Sequence, residues 1–277
     1  MPRWRQGQRR LVIAAANATH TFRIAASPAC SVCRFSPSCI PPDAVRAKPS
    51  KIKGRTTVPL RKLAAGFLDF QRDTFAPKRQ FFDQLAQKQE PKVAMIACSD
   101  SRVDPAILTN SESGDIFMVR NVANLVPPCA RDEEKHGISA ALEFAVIALE
   151  VQHIIVFGHA NCGGIKALLT NDPTTAEEHE FIHNWLDIAG EARRRTLIAA
   201  RNQPLEVQLH KLEREAIKTS LSNLLTFPWI EQRVRDGRLR LHGWHFDLHS
   251  GSIDVYVASE DRFLPLTIDL IAELQDG

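Results

Sequence analysis

The sequence predicts an α/β protein with a mostly parallel central sheet of four strands, flanking helices, and a fifth, antiparallel strand late in the chain. Short apolar runs alternate with segments of helical spacing, which is the pattern of strands joined by crossover helices. Two of these runs end in short polar stretches that carry cysteine or histidine, as buried parallel strands do at a functional edge. Near the end of the chain, two alternating segments on either side of His249-Ser250-Gly251 predict a hairpin.

The composition of residues 1–56 differs from that of the rest of the chain. It predicts a disordered, basic N-terminal extension, with the folded domain at 57–277. Residues 1–55 carry 11 basic side chains and one acidic one, so the net charge of +3 hides a body with a net charge of −7. An acidic body gives no electrostatic support for nucleic-acid binding, and we expect no such partner.

Apolar runs and cysteine usage limit where the protein can reside. No run approaches the ~20 apolar residues needed to cross a bilayer, so we expect no membrane partner. The short apolar patch at 11–18 leaves a secretory signal or a transit peptide open, although polar and basic sequence follows it. Six cysteines in 277 residues do not require a disulfide framework. They indicate a reducing compartment, and we expect a cytoplasmic protein.

The elements follow in order from Val58. Apolar residues at helical spacing predict a helix after this residue, and Phe81, Phe82 and Leu85 form a second apolar group. Strands are predicted at 92–100, 115–123, 153–159, 238–248 and 252–259. Helices are predicted at 137–150, 177–190 and 205–226, and a turn running into a helix at 160–170.

Two predicted strand ends carry the side chains with the most chemistry. The stretch CSDSR (98–102) follows the first strand, and HANCGG (159–164) follows the third. Open α/β sheets place their sites at the carboxyl ends of parallel strands, so these stretches are candidates for one site.

Cys98, His159 and Cys162 are the candidate metal ligands. Two thiolates and one imidazole form a borderline-soft set that suits zinc. The spacing His-x-x-Cys lets a strand end and the following turn close on one ion, while Cys98 arrives from the other strand. Three protein ligands leave a fourth position for water, and zinc lowers the pKa of such a water from 15.7 to about 7.

Asp100 and Arg102 lie two residues apart and would face the same side of an extended segment. A carboxylate held by a guanidinium stays ionised. Asp100 could then accept a hydrogen bond from zinc-bound hydroxide and orient it, or it could bind the zinc itself. The residues alone leave both roles open.

These motifs resemble those of the β-class carbonic anhydrases, and in particular a plant-type subgroup. CSDSR is followed 57 residues later by HxxCGG, and the likeness extends to FMVRNVANLVPP, ALEFAV, IIVFGHANCGGIKALL, NLLTFPWI and LHGWHFDL. It covers roughly residues 60–260. The resemblance implies a lyase, carbonate dehydratase, that uses one Zn²⁺ per subunit to hydrate CO₂ reversibly to bicarbonate and a proton.

The resemblance also implies roles for individual residues. Cys98, His159 and Cys162 correspond to the zinc ligands. Asp100 and Arg102 correspond to a catalytic dyad that orients the attacking zinc-bound hydroxide. The implied substrate-binding residues are Gln89 for bicarbonate, the apolar CO₂ pocket of Phe117, Val122 and Phe144, and a backbone N–H at Gly163. Many plant-type members have tyrosine in place of Phe144, so one hydrogen bond of that hydroxyl is absent here.

Assembly and regulation follow from the same resemblance. N-terminal helices would pack on a partner subunit, and the CO₂ pocket would be shared across that interface, so we expect a dimer or a higher oligomer. One subgroup of the family has an allosteric, closed form, and its members carry tryptophan three residues before the first cysteine. This chain has Met95 there, which favours the open form, with Asp100 as a fourth ligand only in a closed state.

Two other motifs could bind zinc. HEFIH (179–183) matches the His-Glu-x-x-His pattern of zinc peptidases. No third ligand pattern follows it, so we interpret it as a helix whose Phe181, Ile182 and Trp185 pack inward and whose histidines are exposed. Cys30-x-x-Cys33 together with Cys39 could form a zinc knuckle or a redox pair, but a fourth ligand is missing.

Two further functions remain possible on the CSDSR and HxxCGG motifs. The same scaffold could hydrolyse CS₂ or COS, which are also linear and apolar. A zinc-stabilised binding protein without turnover would need only the ligands, and it leaves Arg102 and Gln89 without a purpose.

Overall fold

The computed structural model describes residues 59–132, 134–170 and 180–276. The predictions of a disordered extension, of a leader peptide and of a Cys30-x-x-Cys33 site fall on residues outside these ranges, as does His179. The chain divides into two units, Met1–Ala64 and Ala65–Gly277. The predicted domain boundary at 56/57 stays a prediction.

A mixed sheet of six strands forms the centre of the second unit. The strands are β1 (Val93–Cys98), β2 (Ile116–Asn121), β3 (His153–His159), β4 (Arg240–Phe246), β5 (Ile253–Val257) and β6 (Arg262–Pro265). They lie in the order β2-β1-β3-β4-β5-β6. The first four in this order are parallel, and β5 and β6 run antiparallel to their neighbours. Four parallel strands and an antiparallel fifth are confirmed, while the sequence did not predict β6.

The described ranges contain ten α-helices, including those that flank the sheet. They are α1 (Pro59–Phe70), α2 (Arg79–Leu85), α3 (Pro105–Leu108), α4 (Gly137–Glu143), α5 (Gly163–Thr170), α6 (Glu180–Leu186), α7 (Gly190–Ala199), α8 (Leu205–Leu224), α9 (Pro228–Arg235) and α10 (Ile268–Asp276). The helix predicted at 137–150 is α4 followed by a π-helical turn, Phe144–Ala148. Within the described part of the chain, no helix has both the length and the apolar content to span a membrane.

The core lies on both faces of the parallel strands. Ala94 and Ile96 of β1 pack in one buried cluster, whereas Met95 and Ala97 pack in another. Successive side chains of a strand point to opposite faces, so a strand covered on both sides must be apolar throughout. This double burial explains the continuous apolar run that ends at Cys98.

Helix α8 approaches the sheet at two glycines. A Cβ atom on Gly158 of β3 would lie 2.7 Å from Ile217 Cδ1, and one on Gly243 of β4 would lie 2.7 Å from Ile217 Cγ2. Real Cβ atoms do not approach other atoms so closely, so the missing side chains let α8 sit on the bare backbone of both strands. One turn before Ile217, the same helix carries Glu213.

Candidate metal centre and active site

The two motifs meet at the carboxyl edge of the sheet, as the sequence predicts. Cys98 ends β1 and His159 ends the neighbouring parallel strand β3, while Cys162 lies in the turn before α5. All three residues are buried, and their ligand atoms lie within 4.8 Å of one another. The two sulfur atoms are 3.8 Å apart.

The ring of His159 is oriented for metal binding. Its Nδ1 lies 2.9 Å from the carbonyl oxygen of Ala160. A carbonyl can only accept, so Nδ1 carries the proton and Nε2 keeps a free lone pair. This Nε2 atom is buried, and no residue in the described ranges forms a hydrogen bond with it. A buried nitrogen without a partner is costly, and a metal ion would satisfy it.

The backbone around the cluster favours ionised sulfur. N–H groups of Asp100 and Ala123 act to lower the pKa of Cys98, and those of Gly164 and Ile165 act in the same direction on Cys162. The hydrogen bond with the Cys162 thiol lowers the pKa of Cys98 to about 4, and sharing that proton raises the pKa of Cys162. These N–H groups stabilise thiolates, the form that binds metal. Two such sulfurs and one free imidazole nitrogen fit one Zn²⁺ and leave its fourth position open.

Asp100 and Arg102 form a two-pronged ion pair beside this cluster. Arg102 donates from Nε to Oδ1 at 3.0 Å and from Nη2 to Oδ2 at 2.6 Å, and its backbone N–H also donates to Oδ1. The hydrogen bonds from Arg102 hold the pKa of Asp100 well below its usual range. Asp100 Oδ2 lies 3.8 Å from His159 Nε2. An ionised carboxylate therefore faces the metal-binding atoms.

Sequence reasoning missed Arg120, which holds the loop after β1. Its guanidinium donates to the carbonyl oxygens of Cys98, Asp100 and Val103, at 2.9, 2.8 and 2.6 Å respectively. The one signal in the sequence was an arginine near the end of the second predicted strand, at 115–123.

The predicted substrate residues fall into three places. Gly163 directly follows the candidate ligand Cys162. Val122 directly precedes Ala123, whose backbone N–H acts on the Cys98 sulfur. The rings of Phe117 and Phe144 pack on each other with centroids 5.9 Å apart. Gln89 is exposed in the loop between α2 and β1. Among the described residues, none of the cluster forms a hydrogen bond with its side chain, so its predicted role stays a prediction.

Residues 180–183 of HEFIH lie in α6. Ile182 and Trp185 pack against the core as predicted, but Phe181 is 87% exposed, so its predicted burial is wrong. Positions 182 and 185 share one face of the helix, which turns position 181 away. In the described ranges, the one group of three metal-binding side chains is Cys98, His159 and Cys162.

Comparison with known proteins agrees with this geometry. Residues 93–253 match the family described as carbonic anhydrase. The chain is 38% identical to β carbonic anhydrase 3 of Arabidopsis thaliana over 199 residues, covering 71% of this chain and 76% of that protein. It is also 38% identical to a carbonic anhydrase of Pseudomonas aeruginosa over 207 residues, covering 75% of this chain and 92% of that one.

A solved structure of a β-carbonic anhydrase, CcaA, has the same fold. The two superpose with a TM-score of 0.71 at 36% identity, over 75% of this chain and 92% of that one. Residues 93–253, which match the family, contain both strand-end motifs and the four parallel strands that bring them together. The chain therefore belongs to the β-class carbonic anhydrases.

Proposed function

We propose that this chain is a zinc lyase that hydrates CO₂ reversibly to bicarbonate and a proton. One observation carries the proposal: three buried soft ligand atoms within 4.8 Å of one another face an ionised carboxylate. A structural zinc site is closed by four protein ligands, whereas this set leaves one position open. Membership of the β-class carbonic anhydrases makes CO₂ the substrate to expect.

Zinc, when bound, supplies a nucleophile at neutral pH by lowering the pKa of a water molecule to about 7. Asp100, kept ionised by Arg102, accepts a hydrogen bond beside the cluster and orients the attacking oxygen. Both carboxylate oxygens of Asp100 accept hydrogen bonds from Arg102, which supports the open form. Phe117, Val122 and Phe144 offer CO₂ an apolar surface.

The test is the initial rate of CO₂ hydration by zinc-loaded and zinc-stripped protein at mildly alkaline pH, where a water of pKa near 7 is mostly deprotonated. We expect a fast rate that disappears with the zinc and returns on reloading. A rate no faster than buffer from protein that still holds zinc would contradict the proposal. CS₂ and COS would then be the next substrates to assay.

Self-association is the second part of the proposal. Helix α1 exposes an apolar set that a single soluble chain would not leave in water: Leu60, Leu63, Phe67 and Leu68 are 58–74% exposed. Val122 and Phe144 of the proposed CO₂ surface are 38% and 45% exposed. Exposed apolar groups of this kind mark interfaces. A second copy is the partner we propose, with the dimer as the minimum active unit, and Gln89 is free to serve at such an interface.

Dilution and an interface substitution test whether the dimer is the active unit. We expect Phe67→Glu to weaken the dimer and to lower the specific activity in parallel, measured by sedimentation velocity and CO₂ hydration at matched concentrations. Ile198→Glu on α7 is the matched control, because Ile198 is 68% exposed and lies outside both apolar sets. Fully active monomers, of either the wild type or the variant, would refute the shared pocket.

The free thiols of the described cysteines support a proposal about the cellular compartment. Cys98, Cys129 and Cys162 are all free thiols, and two of them must stay reduced to bind metal. A reducing, cytoplasmic setting is our proposal on this ground.

A further inference from the structure

The peptide bond between Asn161 and Cys162 is held at both of its polar groups. Its carbonyl oxygen accepts a hydrogen bond from Arg102 Nη2 at 2.9 Å. Its N–H donates to Glu213 Oε1 at 3.1 Å. One peptide therefore connects the guanidinium that holds Asp100 with a carboxylate on the far side of the turn.

The backbone at this peptide has a turn conformation that few residue types adopt. Asn161 has a φ of 56°, in the left-handed region, which asparagine tolerates better than most residues other than glycine. Its side chain lies 3.3 Å from His249 Nε2, which adds a further contact. Contacts from outside the turn therefore add to the preference of its own backbone in keeping the peptide in place.

Glu213 is itself fixed. The residue is 3% exposed, and its second oxygen, Oε2, lies 3.3 Å from His245 Nε2, which is also buried. A buried carboxylate is tolerated only when its oxygens have partners. Helix α8 cannot shift easily, because Ile217 rests on the bare backbone of Gly158 and Gly243.

We propose that Glu213, held by His245, is a positioning residue that locks the Asn161–Cys162 peptide and thereby sets both the Cys162 sulfur and the Arg102 guanidinium. Without the hydrogen bond from the Cys162 N–H to Glu213, the turn becomes more mobile. Cys162 then binds zinc more weakly, and Arg102 holds Asp100 less well. The effect on Arg102 rests on the proposed function, whereas the effect on Cys162 does not.

The rate of zinc release tests the positioning role of Glu213 and does not depend on catalytic activity. Zinc-loaded protein is mixed with an excess of a chelating dye, and the release rate is compared among Glu213→Gln, Glu213→Asp and Glu213→Leu. Glutamine keeps an oxygen that can accept the same N–H, so its rate should stay within about threefold of wild type. Aspartate keeps the charge but is one methylene too short, and leucine removes the acceptor. Both should release zinc at least about tenfold faster, the usual scale for losing an outer partner of a metal ligand.

Glu215→Leu is the matched control. It lies on the same helix but pairs with Lys218, and its release rate should equal that of wild type. If Glu213→Leu does not fold, the contrast between aspartate and glutamine decides. Aspartate and leucine variants that melt like wild type and release zinc at the wild-type rate would overturn the proposal.

A kinetic measurement distinguishes the effect on Cys162 from the effect on Arg102. With zinc saturating, Glu213→Asp should still lower kcat severalfold while Glu213→Gln does not, because the same peptide binds Arg102. An unchanged kcat together with faster zinc release would contradict only the proposed effect on Arg102. If even the wild type does not hydrate CO₂, the proposed function fails, and the release rates still decide the role of Glu213.

Discussion

Replacing Cys162 with alanine is expected to abolish zinc binding and CO₂ hydration together. The substitution leaves one thiol and one imidazole, too few for a stable zinc site. The Cys98 sulfur, which lies 3.8 Å from the lost atom, would also lose its hydrogen-bond partner. Since zinc lowers the pKa of bound water by roughly nine units, we expect activity to fall at least about 10³-fold.

The measurement is zinc content after gel filtration, by mass spectrometry, beside the hydration rate and a circular dichroism spectrum. Cys129→Ala is the matched control, because Cys129 is a half-buried free thiol in a loop. His183→Ala tests the HEFIH motif. Both controls should keep one zinc per chain and full activity. One zinc per chain in folded Cys162→Ala protein would show that the metal binds elsewhere.

Replacing Asp100 with asparagine is expected to cut kcat about 10²-fold and to leave zinc bound. Asparagine has nearly the same shape but carries no charge, and the NH₂ that replaces Oδ2 cannot accept the hydrogen bond that Arg102 Nη2 now donates there. A positioned acid–base group contributes about 10²–10⁴-fold in enzymes of many kinds. The cluster itself is untouched, so zinc content should equal that of wild type.

Asp104→Asn provides the control for this change. Asp104 lies in the same loop and caps α3, where its side chain accepts the N–H of Ala106 at 3.0 Å. Asparagine caps helices equally well. The ion pair between Asp104 and Arg120 is long, at 3.6 Å, and partly exposed, and Arg120 keeps its three carbonyl partners, so this variant should lose little activity. If Asp100→Asn kept its turnover within about threefold of wild type, the orienting role of Asp100 would be wrong, since such a role is worth far more.

The site ligands could be predicted because local sequence determines them. The run that ends at Cys98 is apolar on both faces, and the run that ends at His159 matches β3 residue for residue. Parallel strands end at one edge, so two motifs far apart in sequence were expected to meet.

What escaped prediction depends on tertiary packing. Strand β6 has four residues, ends in proline, and is defined by its pairing with β5. Glu213 and His245 are separately ordinary residues of a helix and a strand. They become partners only because α8 sits on glycines. Arg120 was not predicted for a related reason: its hydrogen bonds go to backbone carbonyl groups, which no side-chain motif reveals.

The two glycines under α8 also constrain any attempt at engineering. Glycine weakens a strand, so Gly158→Val and Gly243→Thr would be natural choices for a more thermostable variant. Here, each added side chain would strike Ile217 and lift the helix that carries Glu213. These glycines therefore hold Glu213 in place indirectly. Filling either position would overpack the core and disturb the proposed positioning residue, so it would raise neither the melting temperature nor the activity.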